Sequence, residues 1–406
     1  MARAAGLLAW VLLLGAVAPG DRWVAGWSSA QQPAEGNAAL PSDALRDATL
    51  RQVVRIQIAG DRMRVRFSNA FGTKPLRIDH ATIARAPDPS AARIDPASLR
   101  VLRFGGAESA TIPAGADYWS DPVALSVPAG ADVAVSVHFP QAPAGQTGHS
   151  GSRATSHYLG GDHTADADLP GAAKADHWYQ LASVEIASPA ARSALVVFGD
   201  SITDGYGVAA NSNRRWTDAL QRRLRGEAGL GGMAVLNAGI GGNRLLEDGT
   251  GPNALARFDR DVLSHPGVTH AILLEGVNDL GVLTRDAPVS AEAHAALVAR
   301  MIGAYRQMVA RGRAHGIRVI GATITPYGRS AYYHPDAANE ADRQAVNAWI
   351  RAPGHFDGVI DFDAALRDPA APTRLRAAYD NDGLHPSLAG YQAMADAVPL
   401  ALLRRR

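Results

Sequence analysis

Leu195-Val-Val-Phe198-Gly-Asp-Ser-Ile-Thr-Asp204 decides the fold. Its first four residues are an unbroken apolar run, short enough for a strand buried on both faces. A helix follows, with Trp216, Leu220 and Leu224 on one face. The unit then begins again at Val235-Leu236. Ala271-Ile-Leu-Leu274, Val319-Ile320 and Val359-Ile360 are further strand cores. Between the third and fourth, Leu297, Met301, Tyr305 and Met308 mark one stripe of a long helix. Ser290 caps its start, and Gly312 or Gly316 lies near its end. Ser387 to about Val398 reads as the last helix. Strands alternating with helices predict a parallel sheet covered on both faces. Ligands of such sheets bind beyond the C-terminal ends of the strands.

Upstream the pattern changes. Val53, Ile56 and Ile58 lead to Gly60-Asp61, after which Met63, Val65 and Phe67 alternate with Arg62, Arg64 and Arg66. This predicts a hairpin whose second strand is half buried. Leu99 to Phe104 and Val133 to Phe139 repeat the period of two, with Pro/Gly/Asp turns between. An all-β sandwich or jelly-roll-like domain is expected over residues 23–188, and the α/β domain over 189–406.

The first residues, 1–22, read as a signal peptide. Arg3 gives a positive start, Leu7 to Val17 an apolar run too short to span a bilayer comfortably, and Ala16-Val-Ala18 a small-x-small pattern. A secreted or periplasmic protein with no membrane span after signal removal is expected. The chain contains 406 residues, 47% of them apolar, and its formal net charge is +1. That balance argues against nucleic acid or anionic lipid as a partner. There is no cysteine, which excludes thiol nucleophiles, disulfide exchange and cysteine-based metal sites.

Four segments carry chemistry. Gly199-Asp-Ser-Ile202 puts Ser201 at a strand-to-helix turn, where its backbone N–H should be free and its hydroxyl exposed. Asn237-Ala-Gly-Ile-Gly-Gly-Asn243 can bring bare N–H groups close to a ligand. Gly276-Val-Asn-Asp279 offers a side-chain amide. Asp382-Gly-Leu-His-Pro386 places a carboxylate and an imidazole on one loop. A serine hydroxyl needs an adjacent base. His385 can serve as that base, with a carboxylate fixing its tautomer, and the oxyanion needs preorganised donors. Each segment taken singly has an ordinary reading as a turn, cap or phosphate cradle. No Gly-Lys-Ser/Thr and no Gly-x-Gly-x-x-Gly fingerprint is present.

Together, in this order and spacing, the four segments resemble the blocks of the SGNH (GDSL) hydrolase family, over residues 194–402. Phe198 to Asp204 matches the nucleophile block, Asn237 to Gly242 the second, Gly276 to Asp279 the third and Asp382 to His385 the fifth. Val277 departs from the Thr or Gly frequent in the third block. The N-terminal half resembles the β-rich module of a bacterial subgroup, best over Val65-Arg-Phe-Ser-Asn-Ala-Phe-Gly72. The resemblance implies a flavodoxin-like three-layer α/β/α fold for the second domain, and ester hydrolysis through an acyl-serine, without metal or cofactor. Ser201, Asp382 and His385 would form the triad, and Ser201, Gly242 and Asn278 the oxyanion hole. Export and a β-rich module lean toward acetyl esters of carbohydrate. A lipase or thioesterase with the same triad is one alternative, and a non-catalytic glycan- or cell-wall-binding protein is another. Leu245, Leu246, Tyr332 and Tyr333 are expected to wall a small acyl pocket.

Other residues carry two readings. His149, His157, His163 and His177, with Asp162, Asp166, Asp168 and Asp176, read as a polar surface stretch in place of a metal site, or as a rim to the active site. Trp23, Trp27, Trp119, Trp178 and Tyr179 read as core in place of sugar platforms. Trp216 and Tyr305 read as structural. Arg244 reads as a substrate contact or as a partner of Glu247 or Asp248.

Overall fold

A computed structural model describes residues 22–404. The expected signal segment, apart from Arg22, and the last two arginines of the terminal run lie outside the described residues. Among the described residues no helix is long and apolar enough to cross a membrane.

The second half is built on a five-stranded parallel sheet. In spatial order its strands are Met233–Gly239, Ser193–Gly199, Val268–Leu274, Arg318–Ala322 and Gly358–Ile360. The chain therefore starts inside the sheet, adds one strand on one side, then crosses back to build the other. That reversal opens a crevice at the C-terminal end of Ser193–Gly199, whose next residues are Asp200 and Ser201. Every residue of this strand is buried, as the unbroken apolar run requires. One helix layer contains Trp216–Arg225 packed on Leu388–Ala397, and the other contains Ala291–Ala314 packed on Ala337–Arg351. Trp216, Leu220 and Leu224 are fully buried, and full burial of each side chain is worth about 1.5–3 kcal/mol. Ser290 accepts a bond from the Ala293 N–H at the start of the long helix, and Ser387 from that of Gly390 at the last one.

The first half contains two larger antiparallel sheets. One orders Trp23–Ser28, Leu181–Ala187, Gly60–Ser68 and Val123–Val127. The other has Ala48–Arg55 and Asp132–Phe139 at its centre, with His80–Ala86 beyond. Their apolar faces share one core, in which Leu50, Val54, Val135 and Val137 belong to the same cluster as Met63, Val65, Phe67 and Ile186.

The expected hairpin at Gly60-Asp61 does not form. Ala48–Arg55 pairs with Asp132–Phe139 and Ser156–Gly160, while Gly60–Ser68 pairs with Leu181–Ala187 and Val123–Val127. The connecting residues cross from one sheet to the other. Ile56 and Ile58 are buried within that crossing, and the Ile56 and Gln57 N–H groups bond to Ala131 and Gly26 carbonyls. A hairpin would leave the apolar faces of both strands side by side, whereas the crossing lays one over the other and buries both. The expected strand at Leu99 to Phe104 shrinks to Arg100–Val101.

Both halves share a core cluster, and hydrogen bonds join them. The Ala25 N–H donates to the Pro266 carbonyl at 3.0 Å, Arg260 to the Gln31 carbonyl at 2.8 Å and Arg66 to the Ser264 hydroxyl at 2.8 Å.

Candidate active site

The residues after Ser193–Gly199 turn at once into a short helix, Ser201–Asp204. Asp200 caps it, its carboxylate accepting from the Ile202 N–H at 2.9 Å. Burial raises the Asp200 pKa to about 7. Ser201 is thus the first residue of a helix, where backbone N–H groups lack intrahelical partners. Its side chain is 6% exposed, so the exposed hydroxyl expected from the turn is instead at the floor of a pocket.

The loop before the last helix supplies the partner. Ser201 Oγ lies 2.8 Å from His385 Nε2, and His385 Nδ1 lies 2.8 Å from Asp382 Oδ2. The other carboxylate oxygen of Asp382 accepts from the backbone N–H groups of His385 at 2.7 Å and Leu384 at 3.1 Å. With Nδ1–H held by the carboxylate, Nε2 presents its lone pair to the serine hydroxyl. Burial pushes the His385 pKa below the ordinary histidine value; Asp382 opposes that shift and the Arg153 cation adds to it. Burial also acts to raise Asp382, but the bonds from His385 and Leu384 hold it below the usual carboxylate range.

The other residues expected to be donors, Gly242 and Asn278, follow two further strand ends. Gly242 has φ +75°, a left-handed backbone that suits glycine. Asn278, just after Gly276, is buried. One of its amide N–H bonds goes to the Asn243 carbonyl at 2.7 Å, and its Oδ1 accepts from the Tyr333 hydroxyl at 2.6 Å. The Asn243 carbonyl, which can only accept, fixes which end of the amide is nitrogen, and an NH₂ group has a second proton to offer. Asp279, beside it, accepts from the Leu245 and Leu246 N–H groups at 2.7 and 3.1 Å, which holds the second-block loop against the third.

Beneath these loops lies a fully buried cation. Arg257 donates to the carbonyls of Gly199 and Ala238, to Asn243 Oδ1, and to Asp261 and Glu275. It ties together the ends of two strands and the residue whose carbonyl holds Asn278.

Ser201, Gly242, Asn278, Asp382 and His385 therefore meet around one cavity of about 480 Å³. Tyr206, Thr250, Tyr332, Tyr333 and Leu384 line it as well. Of the four residues expected to wall an acyl pocket, Tyr332 and Tyr333 line it and Leu245 is buried elsewhere, in the core. Leu246 belongs to a separate groove with Val282 and Leu283. Tyr332 is 61% exposed, which makes it the outer lip. Tyr206 stacks on the His385 ring, centroids 4.0 Å apart. That contact was invisible in the sequence, as were those of Tyr333 with Asn278 and of Arg257 with the strand ends. For Tyr206 the signal was an aromatic close to the nucleophile block, while Tyr333 was expected as a pocket wall and not as a partner of Asn278.

The His/Asp stretch is dispersed. His149 contacts Asp204, His163 contacts Asp166, and His177 Nδ1 faces the Ser150 carbonyl. His80, His138 and Asp162 each bring a potential ligand atom within 4.8 Å of the others. Two of those atoms already bond, His80 Nδ1 to Asp162 Oδ2 at 2.5 Å. Trp27, Trp178 and Tyr179 are buried in the core, while Trp119 is half exposed and donates to Glu185. Arg244 pairs with Glu247.

Residues 197–393 match the model of the GDSL-like lipase/acylhydrolase family. No protein of curated function matches the chain. Similar solved structures include a GDSL-like lipase from Bacteroides thetaiotaomicron, 20% identical, covering 52% of this chain and 88% of that one with a TM-score of 0.38. The acetyl xylan esterase AlAXEase is 18% identical, with 50% and 96% coverage and a TM-score of 0.38. An acetyl xylan esterase from Geobacillus stearothermophilus is 22% identical, with 51% and 94% coverage and a TM-score of 0.37.

Proposed function

Residues 197–393 being a GDSL-like lipase/acylhydrolase domain and hence a carboxylic ester hydrolase, we propose that it works through an acyl-serine on Ser201 and removes short acyl groups, acetyl foremost, from carbohydrate esters outside the cytoplasm. The observation that carries this reading is the run of contacts from Ser201 Oγ through His385 to Asp382, at 2.8 Å each, opening on a cavity.

The chemistry follows from the contacts. Ser201 Oγ attacks the ester carbonyl carbon while His385 Nε2 takes its proton. Asp382 keeps the ring oriented and stabilises the imidazolium. Negative charge builds on the carbonyl oxygen, toward the Ser201 N–H, the Gly242 N–H and the free amide proton of Asn278. His385 then protonates the departing alcohol oxygen. A water, deprotonated by the same ring, releases the carboxylic acid and restores Ser201.

Two features support a short acyl group and a bulky polar alcohol. The cavity mixes small and polar walls, such as Thr250, Ser330 and Ala331, with few aliphatic side chains. Its lip carries the exposed ring of Tyr332, a stacking surface for a sugar face. The N-terminal segment supports export.

The test is labelling with phenylmethylsulfonyl fluoride and peptide mapping, with Ser201→Ala as control. A modified Ser201 and loss of esterase activity are expected, whereas an unreactive serine would favour a glycan-binding protein with a decayed site. A panel of acetylated xylan, acetylated pectin, acetyl sugars and long-chain nitrophenyl esters then separates acetylesterase from lipase.

A further inference from the structure

The loop from His149 to Thr155 belongs to the antiparallel half, yet it closes on the turn that carries the nucleophile. Asp204, the last residue of the helix begun by Ser201, points its carboxylate at this loop. His149 Nε2 lies 2.9 Å from Asp204 Oδ1, and His149 Nδ1 lies 2.8 Å from the Ala30 carbonyl. A carbonyl only accepts, so Nδ1 carries a proton, and a second proton sits between Nε2 and the carboxylate. Both side chains are almost fully buried, at 4% and 2% exposure. Gly151 passes so close that a Cβ there would fall 1.6 Å from Asp204 Oδ2. Farther along, the Asn211 N–H donates to the Arg153 carbonyl at 2.8 Å and the Thr155 N–H to Asn211 Oδ1 at 2.8 Å.

Arg153 itself has φ +50°. Among the described residues it forms no ion pair, and its Nε is buried without a hydrogen-bond partner. Its guanidinium lies 5.7 Å from the centre of the Tyr206 ring, the ring that stacks on His385. A half-buried cation without a carboxylate partner is costly to keep, and what it does face is an aromatic ring and the catalytic base.

We propose that this loop is a working part of the active site, with His149 and Arg153 as positioning residues: His149 fixes the Ser201 turn through Asp204, and Arg153 backs Tyr206 against His385. The antiparallel half then acts on the chemistry itself and not only on binding of the substrate. This rests on Ser201 and His385 being nucleophile and base. The groups facing His385 are Asp382 from its own loop, Ser201 and Tyr206 from the nucleophile turn, Arg153 from the loop above, and Tyr332 and Tyr333 across the cavity. Arg153 supplies the positive charge among them, so its loss should let His385 hold its proton to higher pH.

The experiment uses the full chain, nitrophenyl acetate hydrolysis across the acid limb, and activity per folded molecule judged by near-ultraviolet circular dichroism. Arg153→Met should lower kcat by roughly tenfold with KM within about threefold, because small misplacements of reacting groups cost one to two decades. Its acid limb in kcat/KM should also move to higher pH, and Arg153→Lys should restore both. His149→Gln should lower kcat by a similar factor without moving the limb. If Arg153→Met keeps the parent limb and kcat, or His149→Gln loses only thermal stability, that residue merely holds the halves together and its part of the proposal is overturned. Ser201→Ala, run alongside, separates the two levels: activity in that variant would overturn the nucleophile assignment instead.

Discussion

Removing one hydroxyl, in Tyr333→Phe, tests whether the proposed oxyanion amide, Asn278, is oriented from across the cavity. In the wild type the Asn278 side chain is held at both ends, by Tyr333 at 2.6 Å and by the Asn243 carbonyl at 2.7 Å. Rotating the amide by half a turn would set its oxygen against the Asn243 carbonyl oxygen and turn the Tyr333 hydroxyl from donor to acceptor. Each bond contributes about 1 kcal/mol net, and an orphaned buried acceptor costs ~1–3 kcal/mol. Phenylalanine leaves Asn278 Oδ1 orphaned, so the protein should lose roughly 1–3 kcal/mol of stability. Of that, the share felt in the transition state is bounded by the worth of the whole donor. Asn278→Ala should cost about a hundred- to a thousandfold in kcat, so Tyr333→Phe should cost less, about three- to thirtyfold, or ~0.7–2 kcal/mol of barrier. The assay is kcat for nitrophenyl acetate in the two single variants and the double variant. In the Asn278→Ala background the tyrosine change should have almost no further effect on kcat, since it acts through the amide. Additive losses in the double variant would refute the reasoning and make Tyr333 an independent contributor.

Four more outcomes can be checked. Asn278→Ala should lower kcat far more than it raises KM; a change confined to KM would make Asn278 a binding residue. Because burial holds His385 below the ordinary histidine value of about 6.5, the base is neutral at pH 7 and kcat/KM should fall only as pH drops through that lowered value. An acid limb centred above pH ~7 would contradict the burial argument. Across a nitrophenyl ester series, acetyl or butyryl should be preferred to octanoyl and longer, since each methylene contributes about 0.8 kcal/mol only where apolar wall receives it; a steady rise toward long chains would favour a lipase. Dialysis against a chelator should leave turnover unchanged, because the proposed nucleophile is served by an imidazole; activity lost and restored by zinc would bring His80, His138 and Asp162 into consideration.

Short-range pattern made much of this protein legible. The apolar run Leu195 to Phe198, the stripe Leu297, Met301, Tyr305 and Met308, and the cap Ser290 each act within a few residues, and the structure has strand, helix and cap at those positions. The same holds for Asp382 and His385, which share one loop and need only a tight turn to meet. Ser201 and His385 stand far apart in the chain, but a parallel sheet delivers both to one edge, so knowing the sheet brings them together.

What lay beyond reach depended on which distant segment a side chain finds. A period of two says that one face of Gly60–Ser68 is apolar, but not which strand it pairs with, so a hairpin was expected where the chain crosses between sheets. Tyr206 and Arg153 had no mark in the sequence separating them from ordinary loop residues, and for Tyr333 and His149 the sequence suggested a pocket wall and a rim but not their partners, because His385, Tyr206, Asn278 and Asp204 are met only across folded space. The sequence by itself determined the residue types able to do the chemistry and the local elements that carry them. Tertiary packing alone decided which neighbours hold those residues in register, since that choice comes from burying two halves of the chain against each other and from satisfying the polar groups caught between them.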